Sequence, residues 1–282
     1  MKPIFTGIGI LLIAMASFAQ NESHWSPNFS AGQIDDNGEY LGGTEIMYLI
    51  PHNGKIYAAN SYWQESDQSI FNNGLVTGTQ VFELDGPNAD WQESLEMPDC
   101  LRTDFLGVLH FTRDYRGRAV DDRLLVAFPT HVSQLRAYVL DDNIGQWHEE
   151  IVVPNANSVV SIRAAAVHTD GVTGRQFLFF GLRGLGIGRA QYNPNKPGKF
   201  NWNGTPELTV PPNFRITGFS IVNGQLYASS SEGGTAIIYR RIDGPDPNWE
   251  VGWTDASGAP KSDMRGLSAL PNPNGSGEGL WV

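Results

Sequence analysis

Four tryptophans recur at one place in a repeating unit, and that period limits the chain to a small set of folds. Trp91, Trp147, Trp202 and Trp249 are separated by 56, 55 and 47 residues. Each follows a turn-forming cluster: Asp85-Gly86-Pro87-Asn88, Asp141-Asp142-Asn143-Ile144-Gly145, Asn193-Pro194-Asn195-Lys196-Pro197-Gly198 and Asp243-Gly244-Pro245. An aromatic residue, Phe82, Tyr138, Tyr192 or Tyr239, precedes its tryptophan by 9, 9, 10 and 10 residues in turn. Short apolar runs stand further upstream at 56–58, 124–127, 177–180 and 226–228, with another run ahead of them, as at 46–50 and 216–221.

Each unit therefore offers about four short strands separated by Gly, Asn, Asp and Pro turns, with no run of helical period. A lone four-stranded sheet leaves both faces wet, whereas sheets stacked radially bury them against one another, with aromatic residues filling the wedges. The expected fold is an all-β β-propeller with blades at about 45–101, 102–160, 161–213, 214–263 and a partial one at 264–282. A β-sandwich with coincidental tryptophan spacing is the alternative, disfavoured by the repeat order. Residues 265–282 match the first two strands of the preceding unit, so about four and a half blades are expected. One account makes the chain the N-terminal part of a six- or seven-bladed ring. The other has residues 24–44 complete the fifth blade, although that stretch shows little strand-like alternation.

The doublet Gly233-Gly234, then Tyr239 and Trp249, resembles the kelch pattern of galactose-oxidase-type propellers. Other units lack the doublet, and the Tyr-to-Trp gap is longer than kelch repeats show. The resemblance implies a repeat class covering 45–282 and carries over no catalytic residue, because such propellers host oxidases, hydrolases, lyases and pure binding proteins alike.

The first residues read as a signal peptide over 1–19. Lys2 is followed by an apolar run from Ile4 to Ala16, too short to span a bilayer, and Ser17-Phe18-Ala19 sets cleavage before Gln20. Residues 20–44 form an N-terminal segment. An extracytoplasmic location, periplasmic or secreted, is expected, with no membrane span. Removing residues 1–19 takes away one Lys and no acid, so the net charge of −11 becomes −12. A surface this acidic repels phosphate backbones and argues against nucleic acid as a partner. The single cysteine, Cys100, excludes an internal disulfide and reads as a buried, inert thiol. Asn-x-Ser/Thr sequons begin at Asn21, Asn28, Asn203 and Asn274.

Aligning the units by their first strand places Arg102, Arg163, Arg215 and Arg265 at four consecutive strand entrances, with Thr44-Glu45 at the corresponding place in the first unit. The opening strand of a blade lines the central channel, so these residues are expected at one of its mouths. Four guanidiniums there would recognise an anionic ligand, an acidic saccharide or an extracellular protein. Alternatively, each arginine braces its neighbouring blade. His52, His110 and His168 recur near the ends of first strands; if they faced one another they would hold a divalent metal, though no ligand spacing supports one. Asp104, Asp121, Asp122, Glu149, Glu150 and Asp263 are the acids nearest strand ends, where a paired-carboxylate hydrolase would place its groups. Asp141-Asp142-Asn143 reads as a hairpin turn rather than a calcium loop, and the Gly-rich 181–188 as a site of close blade packing or a flexible loop. Two functions follow: a binding propeller, or a polysaccharide lyase or glycoside hydrolase acting on uronic or sulfated glycans.

Overall fold

The computed structural model describes residues 29–62, 77–131, 133–153, 161–232, 235–255, 264 and 266–282. The signal-peptide stretch, Asn21, Asn28, the Gly233-Gly234 doublet, Asp263 and Arg265 lie outside them. No helix occurs among the described residues, and none is long and apolar enough to cross a membrane.

The fold is a β-propeller of four-stranded antiparallel blades. A short hairpin, β1 (Gln33–Ile34) and β2 (Tyr40–Leu41), comes first. Blade one is β3 (Glu45–His52), β4 (Lys55–Ser61), β5 (Gly78–Leu84) and β6 (Gln92–Pro98). Blade two is β7 (Arg102–Arg113), β8 (Ala119–Thr130), β9 (Leu135–Asp141) and β10 (Gln146–Val153). Blade three is β11 (Ala165–Thr169), β12 (Gln176–Leu182), β13 (Gly186–Tyr192) and β14 (Phe200–Trp202). Blade four is β15 (Arg215–Val222), β16 (Gln225–Glu232), β17 (Thr235–Ile242) and β18 (Asn248–Asp255). β19 (Ser268–Pro271) and β20 (Glu278–Trp281) pair as two strands of a fifth. Within each complete blade the strands pair in chain order, and one bridge, Ser61 to Arg102, joins the ladders of blades one and two.

Period-two alternation sends each blade's apolar side chains to both faces, so the core is a series of wedges rather than one centre. Tyr57, Ala59, Val81 and Met97 meet Leu106, Leu125, Ala127 and Tyr138 between blades one and two. Phe111, Val126 and Phe128 meet Leu178, Phe180, Ala190 and Tyr192 between two and three, with the Phe111 and Tyr192 rings stacked at 5.0 Å. Phe177, Phe179 and Ile187 meet Ile216, Leu226, Ala228 and Tyr239 between three and four. Ile238 meets Met264 and Leu267 between four and five.

The tryptophan period has a second physical cause besides wedge filling. Trp147 Nε1 donates to Ser94 Oγ of the preceding blade at 3.0 Å. Trp202 Nε1 donates to Glu150, and Trp249 Nε1 to Glu207 at 3.0 Å, each again one blade back. Trp91, in the first blade, is buried with its Nε1 unpaired, and Phe29 packs on its ring.

Residues 29–44 do not extend the β19–β20 ladder; β1 and β2 pair with each other and lie on the face of blade one turned from blade two. Leu41 is buried there with Ala58, Phe82, Leu84 and Trp91. The Gln80 side chain fastens the hairpin, accepting from Gly42 N at 3.1 Å and donating to Tyr40 O at 2.7 Å. The Gly-rich stretch serves packing. A side chain at Gly181 would lie 2.4 Å from Ile216 of blade four, and Gly186 combines φ of +122° with the Leu208 carbonyl where its Cβ would go.

Candidate functional site

One cavity is built by a local device used three times. In blades one, two and four, the first residue of the opening strand faces a residue of the second strand that carries a hydroxyl: Glu45 opposite Ser61, Arg102 opposite Thr130, Arg215 opposite Ser231. Two residues further on, each opening strand has a bulge, at 46/48, 103/105 and 216/218. A bulge leaves the inserted residue outside the ladder and re-aims its side chain. The inserted residues are Met47, Asp104 and Thr217, and all three line one cavity of about 340 Å³ together with Glu45, Tyr48, Arg102, Arg163 and Gly266.

Asp104 organises the blade-two side of this cavity. Its carboxylate lies 2.6 Å from Arg102 Nε and accepts the Thr130 hydroxyl, and Arg163 Nε stands 3.9 Å away. Arg102 and Asp104 are both buried, whereas the Arg163 side chain is 19% exposed. The Tyr48 hydroxyl donates to the Asp104 carbonyl at 2.6 Å. Burial and the Asp104 charge push that phenol up to about 12, so it stays protonated and holds this bond.

The three described strand-entrance arginines are thus distributed unequally. Arg102 and Arg163 line the cavity, each facing Asp104. Arg215 stands beside Ser231; its Nε is buried without a hydrogen-bond partner, as is the Ser231 hydroxyl. Arg265 lies outside the described residues. The described lining carries two guanidiniums and two carboxylates, Glu45 and Asp104. Sequence spacing located the arginines but could not anticipate the bulge that turns Asp104 under Arg102.

The three histidines do not come together. His110 lies eight residues along β7 from Arg102, about 26 Å toward the far end of the channel strand. His52 Nε2 is 3.0 Å from both carboxylate oxygens of Asp142 in the next blade, and His168 Nε2 is similarly placed on Asp243. Both imidazoles are buried and join adjacent blades; His110 is more exposed and pairs with Asp121 of its own hairpin at 2.6 Å. Among the described residues no group of three or more His, Cys, Asp or Glu side chains is placed to hold a metal ion. The other acids also have separate partners: Asp122 accepts from the Tyr192 hydroxyl at 2.6 Å, Glu149 faces Arg136 at 3.4 Å, and Glu150 meets Trp202 and Lys196. Asp141-Asp142-Asn143 forms a hairpin turn, with Gly145 N on the Asp141 carbonyl at 2.8 Å.

Sequence reasoning passed over Tyr48, Thr130, Thr217 and Ser231. The hydroxyls opposite Arg102 and Arg215 would have been found only by pairing the first and second strands of each unit in register.

No protein-family model and no curated protein sequence matches this chain. Among solved structures it is similar to the extracellular domain of a putative one-component system from B. thetaiotaomicron. That similarity has 10% identity and a TM-score of 0.42, and covers 85% of this chain and 27% of the other. It is also similar to the β-propeller domain of Myceliophteria thermophila Cps50 (Swd1), with 11% identity and a TM-score of 0.39 over 82% of this chain and 67% of the other. The chain therefore spans about a quarter of the first structure's length.

Proposed function

We propose that this propeller is exported and binds an anionic ligand, an acidic saccharide, at its channel mouth. The observation that carries the reading is the convergence of strand-entrance and bulge residues from blades one to four on one cavity of about 340 Å³. That volume sits at the small end of ligand sites. Asp104 is sealed beneath Arg102 and Thr130, so an approaching ligand meets the more exposed guanidinium of Arg163, with Glu45 elsewhere in the same lining to accept sugar hydroxyls. A planar guanidinium suits carboxylate or sulfate oxygens. In a chain of net charge −11 this is a local site rather than a general attraction. Binding is favoured over glycan cleavage because the acids near strand ends and the recurring histidines are tied to separate structural partners. Export rests on the sequence of residues 1–19.

The test is calorimetric titration of the mature protein with uronic-acid and sulfated oligosaccharides, each against a neutral oligosaccharide of equal length. Saturable binding that weakens with salt and falls about tenfold in Arg163→Ala is expected, the worth of one charge-assisted hydrogen bond. Equal binding of the neutral sugar, or affinity unchanged in Arg163→Ala, would sink the reading.

A further inference from the structure

Blades two and four carry the same arginine–hydroxyl pair in the same register, yet only blade two supplies a carboxylate to it. In blade two, Arg102 faces Thr130, and the bulge residue two positions along, Asp104, places its carboxylate on Arg102 Nε at 2.6 Å and on the Thr130 hydroxyl. In blade four, Arg215 faces Ser231, and the bulge residue two positions along is Thr217. The Thr217 hydroxyl is already engaged with Ser229 Oγ at 3.0 Å. Arg215 Nε and Ser231 Oγ consequently are buried polar atoms without a hydrogen-bond partner, and Ser231 as a residue is only 2% exposed. Buried polar atoms are nearly always paired, and an unpaired one calls for a partner or a function. Thr217, two residues along the strand from Arg215, lines the channel-mouth cavity, so the pair lies next to that cavity in the chain.

The geometry points to Arg215 and Ser231 as a carboxylate-binding subsite, in which a ligand's carboxylate takes the role that Asp104 plays between Arg102 and Thr130. This deepens the channel-mouth reading and rests on it for the source of the carboxylate: the acid group of a uronic sugar enters past Thr217. The two sides of the mouth then differ in role, with blade two closed by its own acid and blade four receptive.

Sodium acetate, at ionic strength held constant with chloride, is the probe, and the Arg215 Nε–H resonance in a proton–nitrogen spectrum is the readout, identified by its loss in Arg215→Lys. Acetate should shift that resonance saturably. In Thr217→Asp the chain supplies its own carboxylate. The resonance should then be displaced before acetate is added, acetate affinity should fall about tenfold or more, and the thermal midpoint should equal or exceed that of the parent. A resonance unmoved by acetate, or an acetate response identical in Thr217→Asp, overturns the subsite. Should Thr217→Asp fail to fold, Ser231→Ala decides: weaker saturation supports the pair and an unchanged response refutes it. Saturation by acetate without any acidic-oligosaccharide binding would refute the channel-mouth reading and keep the carboxylate site. Salt-sensitive oligosaccharide binding with a silent Arg215 would do the reverse.

Discussion

Arg241 on β17 has no solvent exposure, and its guanidinium is held by three acids from two blades. Its Nε is 2.7 Å from Glu207 and its Nη1 is 2.9 Å from Asp170, with Asp243 also on Nη1. Glu207 in turn accepts from Trp249, and Asp243 from His168, so the arginine is the centre of the junction between blades three and four. Burial alone would raise the Asp170 carboxyl. Donation from the Thr173 and Gly244 amides and from Arg241 outweighs that and holds it well below the usual carboxylate range. Its contribution is therefore present above the ordinary carboxylate pKa and lost as pH falls through the depressed value. Arg241→Leu would leave Asp170 buried without its counter-charge, while Glu207 keeps Arg189, and that loss costs about 3–5 kcal/mol. Denaturant unfolding should show a loss of that size, and a variant as stable as the parent would contradict the assignment. Alternation along β17, with Ile237 and Tyr239 facing blade three, puts the next residue of that face, Arg241, inside.

The N-terminal hairpin shows how an element of almost no intrinsic strand propensity is held by its neighbours. Asp35 makes its turn, accepting from the amides of Asn37 and Glu39, and its second carboxylate oxygen accepts Glu93 N at 2.9 Å. Glu93 lies half-buried against this hairpin. Burial pushes its carboxyl up to about 7, opposed by donation from Gln80 and reinforced by the nearby Glu96, Glu39 and Asp35. Between 4.5 and about 7 the folded state keeps a proton that the unfolded chain has lost. Stability from this group is therefore complete below the lower value and declines as pH rises through the upper one. Thermal midpoints of the parent should fall relative to Glu93→Gln across that interval, at about 2–4 °C per kcal/mol for a domain of this size. A constant difference between the two proteins would show that Glu93 does not titrate as its surroundings dictate. The hairpin was hidden from pattern reading because its anchor, Gln80, is a buried polar residue within a strand.

Protection across the whole molecule should follow blade geometry rather than chain order. All seven residues of β12 are buried, with blades two and four packed on its two faces. β18, the outer strand of blade four, is exposed along most of its length, and β20 carries Trp281 at 48% exposure. Hydrogen exchange should leave the β12 amides among the slowest, near the global unfolding limit, while β18 and β20 exchange faster by orders of magnitude. Uniform protection would mean that the blades open as one unit. Cys100, buried with its thiol pushed up to about 12, belongs to the wedge between blades one and two and matches the inert thiol expected from composition.

The repeat is written in the linear order of residues. Tryptophans behind Gly/Pro/Asn turns, aromatic residues nine or ten positions ahead of them, and strand-length apolar runs specify stacked four-stranded sheets. These are local signals, set by turn chemistry and period-two alternation. The same linear order also placed Arg102, Arg163 and Arg215 at strand entrances. Which of those arginines meets an acid was decided by tertiary structure. That outcome depends on a bulge turning Asp104 beneath Arg102, on Thr217 at the same position in blade four, and on the cross-strand hydroxyls of Thr130 and Ser231. The histidine pairings with Asp142 and Asp243 were settled the same way, since partners 90 and 75 residues apart meet only when one blade packs against the next.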